Sequence, residues 1–319
     1  MSNDLNGAAI TPAPVVAAVD IGGTKIAAGL VDGTGELLHR CQVATPAKEA
    51  AETVFAAVAE ALDGLAEHPL WAAAGAIGVG SAGPVDGRRG TVSPVNIPHW
   101  RDFPLVEQVR KHPAAGDRPV VLGGDAVAMA AAEHWLGAAR AYRNALCIVV
   151  STGVGAGLVL DGRVRPGPSG NAGHLGHISL DPDGEPCPCG SRGCLELLAS
   201  GTAIARQARA AGWRPAGDDS AAGVAGAARA GDPVALAAFD RAARSLAVGI
   251  ANTAALVDLE AVVVGGGVAQ AGELFFAPLR RHLADYATLS YTRGLVVLPA
   301  ELGTDSGVIG AAALALQQR

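Results

Sequence analysis

The pattern of apolar and polar positions divides the chain into two halves with a similar order of elements. In the first half, apolar runs broken by glycine turns predict three antiparallel strands within residues 15 to 44, with turns at Gly22-Gly23 and Asp32-Gly33. The elements predicted next are a helix at 47–66, a strand at 74–83, a strand at 118–125 and a helix at 126–139.

The second half begins with a strand, a glycine-rich turn and a strand over residues 145 to 164, which repeats the layout of residues 15 to 34. Helices are then predicted for most of 195–255, followed by a strand, a glycine turn and a helix at 259–275 and a final helix within 302–317. The repeat predicts two related half-domains, and the boundary near 126–140 rests on it because no Pro- or Ser-rich linker separates them.

Composition narrows the function classes. The chain has 319 residues, of which 50% are hydrophobic and 17% charged, which suits one large or two medium domains and argues against disorder. The net charge of −6 comes without a basic run, so a nucleic-acid partner is not expected. Residues 1–14 lack the regions of a signal peptide and no long apolar run suggests a membrane span, so we expect a flexible tail on a cytoplasmic protein.

The two glycine turns are candidate phosphate sites. Glycines let backbone N–H groups approach phosphate oxygens closely, a hydroxyl and a lysine add donors, and an acid at a strand end can hold Mg²⁺ through water. The first turn supplies these types as Asp20, Gly22, Gly23, Thr24 and Lys25. The second turn supplies Ser151, Thr152, Gly153, Gly155 and Gly157.

An ordinary hairpin would explain either turn alone. Two such turns at matching places in two half-domains favour a pair of loops that grip one nucleotide from both sides of a cleft. Neither turn is a Walker A loop, because the lysine and hydroxyl spacing differs, and neither is a Rossmann fingerprint, because a strand follows the glycines.

Asp125 is predicted to end a strand and precede a helix. A carboxylate at that place can accept the proton of a substrate hydroxyl as the hydroxyl attacks a γ-phosphate. The alternative is a helix N-cap, and the two roles are compatible.

Further glycines lie where a strand meets a helix and could flank a purine or form ordinary turns. They are Gly265, Gly266 and Gly267 within 262–268, with a second such stretch at 303–312.

A compact cysteine block predicts a metal site. Cys187, Cys189 and Cys194 follow the spacing C-x-C-x₄-C, and His177 precedes the first cysteine by ten residues. One imidazole and three thiolates complete a tetrahedral zinc site with no open position, which makes it structural. Free buried cysteines are the alternative, and the turn residues around the thiols argue against it.

Together these motifs resemble the ROK family of sugar kinases and sugar-responsive repressors. The resemblance runs from Val15 to Leu316 and rests on "DIGGTK", "STGVGAG", "VVVGGGV" and the block "GHISLDPDGEPCPCGSRGCLE". It implies an α/β, actin-like ATPase fold of two ribonuclease-H-like domains, with ATP and sugar in a central cleft. The implied domains are 15–125 with the C-terminal helix 305–319, and 126–304 with a zinc-binding loop at 177–194.

The resemblance also implies a reaction and its residues. ATP with Mg²⁺ donates its γ-phosphoryl group to a sugar hydroxyl, usually the 6-hydroxyl of a hexose, in a homodimer or homotetramer carrying structural Zn²⁺. Asp125 corresponds to the catalytic base, and His177 with the three cysteines corresponds to the zinc ligands. The residues that this comparison places on the sugar side are Gly83, Asn96, Asp125, His174 and Glu196.

Two positions depart from the family pattern. Gly124 stands where an asparagine usually precedes the catalytic aspartate, and His174 stands where a glutamate usually contacts the sugar. Bacterial N-acetylmannosamine kinases of the family carry "AGHxGH", as this chain does, so that sugar is the first expectation and glucose the second. A sugar-binding regulator is disfavoured, because fewer than 20 residues precede Asp20 and the basic patch of a DNA reader is missing.

Overall fold

A computed structural model of the protein describes residues 14–215 and 217–317. The expected flexible tail, apart from Pro14, lies outside the described residues. The same holds for residues 318 and 319 of the expected final helix.

The elements of the first half confirm the predicted order and add three short ones. They are β1 (Val15–Ile21), β2 (Lys25–Val31), β3 (Leu37–Ala44), α1 (Ala51–Ala66), β4 (Ala74–Ser81), β5 (Val85–Asp86), β6 (Thr91–Val92), α2 (Leu105–Lys111), β7 (Val120–Gly124) and α3 (Asp125–Trp135). The unforeseen elements, β5, β6 and α2, lie in the long connection between β4 and β7.

The elements of the second half follow in a matching order. They are β8 (Ala145–Val150), β9 (Val154–Leu160), β10 (Arg163–Val164), α4 (Leu195–Ala199), α5 (Gly201–Ala210), α6 (Ala221–Arg229), α7 (Pro233–Val257), β11 (Ala261–Gly265), α8 (Glu273–Tyr286), β12 (Val296–Pro299) and α9 (Ser306–Gln317). β12 was not predicted, because its four residues alternate poorly between apolar and polar positions.

The two halves share one sheet topology. The strand orders are β3-β2-β1-β4-β7 and β10-β9-β8-β11-β12. In each sheet the first three strands along the chain pair antiparallel, and the last two add in parallel. Identical order and direction confirm the repeat that the glycine hairpins predicted.

Each half is covered by a helix that follows the other half's last strand. α9 follows β12 but packs on β1, β4 and β7, while α3 follows β7 but packs mainly on β8 and β9. The two helices meet closely at Gly310, where a Cβ would overlap the Ala128 carbonyl oxygen. Their apolar faces join both sheets in one core, and on these contacts we propose the division into 15–125 with the final helix and 126–304.

A buried carboxylate of α3 binds the segment that connects β12 to α9. Glu133 of α3 is fully buried and accepts hydrogen bonds from the backbone N–H groups of Ala138 (2.9 Å), Glu301 (3.1 Å) and Leu302 (3.0 Å). The same contacts explain why α3 ends at Trp135, four residues before the predicted end. A buried charge needs such partners, because a lone one would be strongly destabilising.

The second domain is built around α7, a helix of 25 residues that begins at a well-formed cap. Asp232 accepts hydrogen bonds from the N–H groups of Val234 (2.8 Å) and Ala235 (3.0 Å), with Pro233 at the first helical position.

Across 14–215 and 217–317, no helix combines the length and apolar character needed to cross a membrane.

Candidate active site

Two pockets share the β8–β9 hairpin as a wall. The larger has a volume of about 450 Å³ and takes in Ser151, Thr152 and Gly267, three of the predicted nucleotide-binding residues. The smaller takes in Gly83, Asp125, Gly155 and His174 from the prediction. The structure therefore places these seven predicted residues in two neighbouring spaces, and the other predicted residues line neither.

Asp125 lies at the N-terminus of α3 and faces the smaller pocket. Gly124, not Asp125, occupies the N-cap position, and Asp125 accepts from the N–H of Ala126 at 2.7 Å. The alternative role as an N-cap is therefore wrong. The residue as a whole is exposed, but the protein packed around its carboxyl raises the pKa of the carboxyl by desolvation, and the Ala126 hydrogen bond opposes this.

Asp20 forms a second acid close to the first. Desolvation and the charge of Asp125 raise the pKa of Asp20 to about 6, while Lys25 pulls it in the opposite direction. Its carboxylate also touches the start of α9, where a Cβ on Gly307 would overlap Oδ2. Two neighbouring carboxylates with raised pKa values are well suited to proton transfer or to a shared cation.

The first glycine hairpin is tied to a neighbouring loop. Gly22 N–H donates to the Lys25 carbonyl at 3.0 Å, and the Thr45 N–H donates to the Thr24 carbonyl at 3.0 Å. Asn96 lies directly over the turn, since a Cβ on Gly23 would be 2.6 Å from its Nδ2. The structure therefore joins the predicted sugar loop to the predicted phosphate turn.

The second glycine hairpin holds a carboxylate at the comparable place. Glu196, the second residue of α4, accepts from the Val154 N–H at 2.9 Å through Oε2. A Cβ on Gly153 would overlap the same oxygen. Two predicted sugar-side residues, Asn96 and Glu196, thus lie against glycines that were predicted to approach phosphate.

His174 lies between the sugar-side residues and the metal cluster. Its ring stacks on that of His177 at 5.2 Å between centroids, and its Cε1 comes within 3.4 Å of a Cβ built on Gly83. Desolvation and His177 lower the pKa of His174, and Glu196 opposes them. A neutral imidazole here offers one donor and one acceptor nitrogen to a ligand in the pocket.

Gly124 leaves open space in the smaller pocket. A Cβ at this position would meet nothing closer than 3.9 Å, at the Gly170 carbonyl and Val127. Its backbone, with φ −68° and ψ 149°, suits any residue. The glycine is therefore not required by the fold, and what it changes is the volume beside Asp125.

The predicted metal ligands come together. The donor atoms of His177, Cys187, Cys189 and Cys194 all lie within 4.8 Å of one another. Cys187 Sγ lies 3.7 Å from His177 Nδ1, and Cys189 Sγ lies 3.7 Å from Cys194 Sγ. Ligands around a tetrahedral zinc ion stand about 3.3–3.8 Å apart, which these two distances match. One imidazole and three thiols suit zinc, and four ligands leave no open position.

Three predicted glycines serve the packing of the domain. A Cβ on Gly157 would lie 2.7 Å from the Ala126 carbonyl of α3, and one on Gly265 would lie 3.0 Å from Met129. Gly266 has φ +90° and abuts the Val150 carbonyl. The structure brings these three residues to helix and strand contacts and does not place them in the lining of either pocket.

Several lining residues were not predicted. Thr202 donates to the Thr152 carbonyl at 2.9 Å, and Arg209 pairs with Asp219 at 3.2 Å at the edge of the larger pocket. Asn171 in the smaller pocket accepts from the Val85 N–H at 3.0 Å and donates to the Val85 carbonyl at 2.6 Å. These contacts join distant parts of the chain, and only the local "GNAGH" pattern around Asn171 hinted at one of them.

The family model described as ROK family matches residues 16–318. The chain belongs to the ROK family. This match confirms the family that the sequence motifs predicted. The sugar-kinase class is confirmed by this match together with the relatives described next.

Named ROK relatives are similar over almost their whole length. A glucokinase of Streptomyces coelicolor is 39% identical over 93% of this chain and 96% of its own. An N-acetylmannosamine kinase of Yersinia pseudotuberculosis is 39% identical over 92% of this chain and 96% of its own. The crystal structure of a ROK glucokinase from Streptomyces griseus, in complex with glucose and AMPPNP, superposes with a TM-score of 0.82 at 38% identity, covering 95% and 99% of the two chains. This superposition confirms the expected two-domain, actin-like ROK fold.

Proposed function

We propose that this ROK kinase transfers the γ-phosphoryl group of ATP to the 6-hydroxyl of a hexose or N-acetylhexosamine, with N-acetylmannosamine as the preferred acceptor. The observation that carries the proposal is Asp125, whose carboxylate faces the smaller pocket beside the hairpin that bounds the larger one. The named relatives support the class, since they include a glucokinase and an N-acetylmannosamine kinase.

Asp125 acts as the general base. It accepts the proton of the sugar hydroxyl while the hydroxyl oxygen bonds to the γ-phosphorus and the bond to the β-phosphate breaks. A raised pKa strengthens the carboxylate as a proton acceptor, and the hydrogen bond from the Ala126 N–H at the start of α3 favours its ionised form. Asp125 lines the smaller pocket, and the sugar hydroxyl would reach it from there.

The larger pocket holds the nucleotide. Ser151, Thr152 and Gly267 line it, and the Arg209–Asp219 pair lies at its rim. ATP supplies the transferable phosphoryl group, and Mg²⁺ neutralises its charge. Asp20 and Asp125 are the acids on hand for the cation's hydration shell, and the Streptomyces griseus kinase, whose structure contains AMPPNP, supports this placement by its similarity.

His174 favours N-acetylmannosamine over glucose. An imidazole can donate a hydrogen bond to a hydroxyl or an acetamido carbonyl, whereas a carboxylate can only accept. The open volume at Gly124 adds room for a larger substituent in the same pocket. Glucose remains the second candidate, because the glucokinase and the N-acetylmannosamine kinase are equally similar at 39% identity.

Zinc in the His177 and three-cysteine cluster has a structural role in this proposal. The cluster ends at Cys194, the N-cap of α4, so the metal fixes the helix that presents Glu196. A homodimer or homotetramer stays a prediction, which analytical ultracentrifugation of the purified protein checks.

One substrate panel tests the proposal. Purified protein is assayed with ATP or polyphosphate and Mg²⁺ on N-acetylmannosamine, glucose, mannose, N-acetylglucosamine, fructose and allose. The highest kcat/KM is expected for N-acetylmannosamine with ATP, and His174→Glu is expected to move the preference toward glucose. A higher kcat/KM for glucose in the unaltered protein selects the second candidate, and binding without turnover contradicts the kinase proposal.

A further inference from the structure

A short stretch of chain carries residues of the metal cluster and of the larger pocket, with a predicted sugar-side residue between them. Cys194 is a metal ligand candidate, Glu196 is the residue predicted to contact the sugar, and Gly201 and Thr202 line the larger pocket. α4, its N-cap and the start of α5 carry all of these residues. A shift of this stretch would therefore displace residues of all three places at once.

Three hydrogen bonds join this stretch to the β8–β9 hairpin. Gly201 N–H donates to the Ser151 carbonyl at 2.7 Å, and Thr202 Oγ1 donates to the Thr152 carbonyl at 2.9 Å. The third runs in the opposite direction, from the Val154 N–H to Glu196 Oε2 at 2.9 Å. The hairpin and the stretch thus form one hydrogen-bonded unit.

Gly153 is a glycine for a reason that the phosphate hypothesis does not supply. Its φ is not in the left-handed region, so its backbone suits other residues. It lines neither pocket. A Cβ at this position would overlap Glu196 Oε2 and lie 3.2 Å from Glu196 Cδ. The missing side chain therefore makes room for a carboxylate that is already held by the next residue.

Fixing one oxygen of Glu196 orients the other. Oε2 is held by Val154, whereas Oε1 lies 3.9 Å from a Cβ built on Gly153 and accepts no hydrogen bond from the part of the chain that the structure describes. The carboxylate also interacts electrostatically with His174, which lines the smaller pocket. Oε1 is thus the atom available to a sugar hydroxyl.

We propose that Gly153 and Val154 are positioning residues for the sugar. Gly153 leaves the space for Glu196, and the Val154 amide holds Oε2 so that Oε1 is aimed at a sugar hydroxyl. This inference rests on the proposed sugar-kinase function. It assigns to the β8–β9 hairpin a sugar-side role in addition to bounding the nucleotide pocket.

A double-mutant cycle tests the positioning. Gly153→Ala places a methyl group where Oε2 lies, so the KM for the sugar is expected to rise about tenfold or more, as for a misplaced hydrogen bond to a charged group. The KM for ATP is expected to change by less than about twofold, because Gly153 lines neither pocket. In a Glu196→Ala background the methyl group displaces no carboxylate, and Gly153→Ala should change the sugar KM by less than about twofold.

Two further variants sharpen the cycle. Glu196→Gln keeps an acceptor for the Val154 N–H, so Gly153→Ala should again raise the sugar KM in that background. Gly226→Ala in α6 is the matched control, because a Cβ there meets nothing within 4 Å and the residue lines neither pocket. It is expected to leave both KM values unchanged.

The outcomes separate the inference from the function on which it rests. Sugar dissociation constants are measured by calorimetry alongside the kinetics. If Gly153→Ala has the same effect with Glu196 present as in the Glu196→Ala background, or raises the KM for ATP more than that for the sugar, the positioning role is overturned. Absence of turnover in the unaltered protein overturns the proposed function, while the calorimetric cycle still decides the positioning.

Discussion

At the end of β1 the chain places Asp20 before its glycine turn and Lys25 after it, whereas the end of β8 carries Val149 and Val150 before an uncharged turn. The backbone layout is repeated, but the charge is not. The second hairpin instead receives a carboxylate from outside, through Glu196 of α4. Two halves of the same fold can therefore differ in chemistry. The first hairpin carries its own charged residues, and the second holds a carboxylate that belongs to a neighbouring helix.

The side chains that lie over the two turns also come from different kinds of structure. Asn96 covers Gly23 from an exposed loop, while Glu196 covers Gly153 from a helix capped by a metal ligand candidate. We therefore expect the exposed Asn96 contact to shift when a ligand binds. We expect the Glu196 contact to stay in place, because the Val154 N–H holds its carboxylate.

The largest expected effect concerns the charge of the first half. Asp125→Asn keeps the shape of the pocket but removes the proton acceptor, so kcat should fall about 10³-fold, within the range for a lost general base. Steady-state kinetics with the preferred sugar measure it, and sugar binding should persist. Turnover equal to that of the unaltered protein would show that another group accepts the proton.

The next effect concerns the scaffold of the second half. Cys189→Ser removes an exposed member of the metal cluster, so zinc content should fall well below one ion per chain and the Tm should drop by about 5 °C or more. Metal analysis and calorimetry measure both quantities. Cys41→Ala, outside the cluster, is the control and should retain the metal; an unchanged Tm after zinc loss would contradict the structural role.

Asp20 contributes a smaller and pH-dependent effect. Its folded-state pKa of about 6 lies above the ordinary value of 3.8, so the folded state holds the proton more tightly and ionisation lowers the free energy of unfolding as pH rises through this window. Asp20→Asn removes that penalty and should raise the free energy of unfolding at pH 7.5 by about 1–3 kcal/mol. Denaturant unfolding without nucleotide or Mg²⁺ measures it, and the difference should shrink toward zero near pH 4.

The smallest effect comes from the first hairpin. The methyl group of Gly23→Ala meets the side chain of Asn96, which lies on an exposed loop and can turn away. The KM for the sugar should therefore rise by less than about threefold, with little loss in the free energy of unfolding. The same substitution at Gly153 should raise the KM for the sugar more, because the Val154 N–H holds the Glu196 carboxylate in place. Equal increases in the sugar KM for the two variants would show that Asn96 and Glu196 do not differ in mobility.

The sequence was sufficient for features that depend on neighbouring residues. The two hairpins, the cysteine cluster and the start of α3 all follow from local spacing. Residues that matter through distant pairing escaped it. Asn171 pairs with Val85, and Glu133 binds Glu301 and Leu302, across separations that no local pattern encodes.

Gly157 and Gly265 show a second limit of reasoning from sequence. Each lies in a motif predicted to bind the nucleotide, yet residues of α3 pack close to each of them. A glycine motif does not show whether a ligand or the protein itself fills the space next to the glycine. Only the folded chain separates the two causes.

The exchange of covering helices between the two halves has a consequence for synthesis. The inner face of the first sheet, with Val16, Ala18 and Ala76, is buried under α9, which comes after every other described element along the chain. On the ribosome, this sheet emerges early and stays uncovered while the whole second half is made. The nascent first half is thus an open sheet that becomes a finished domain only when residues 306–317 reach it.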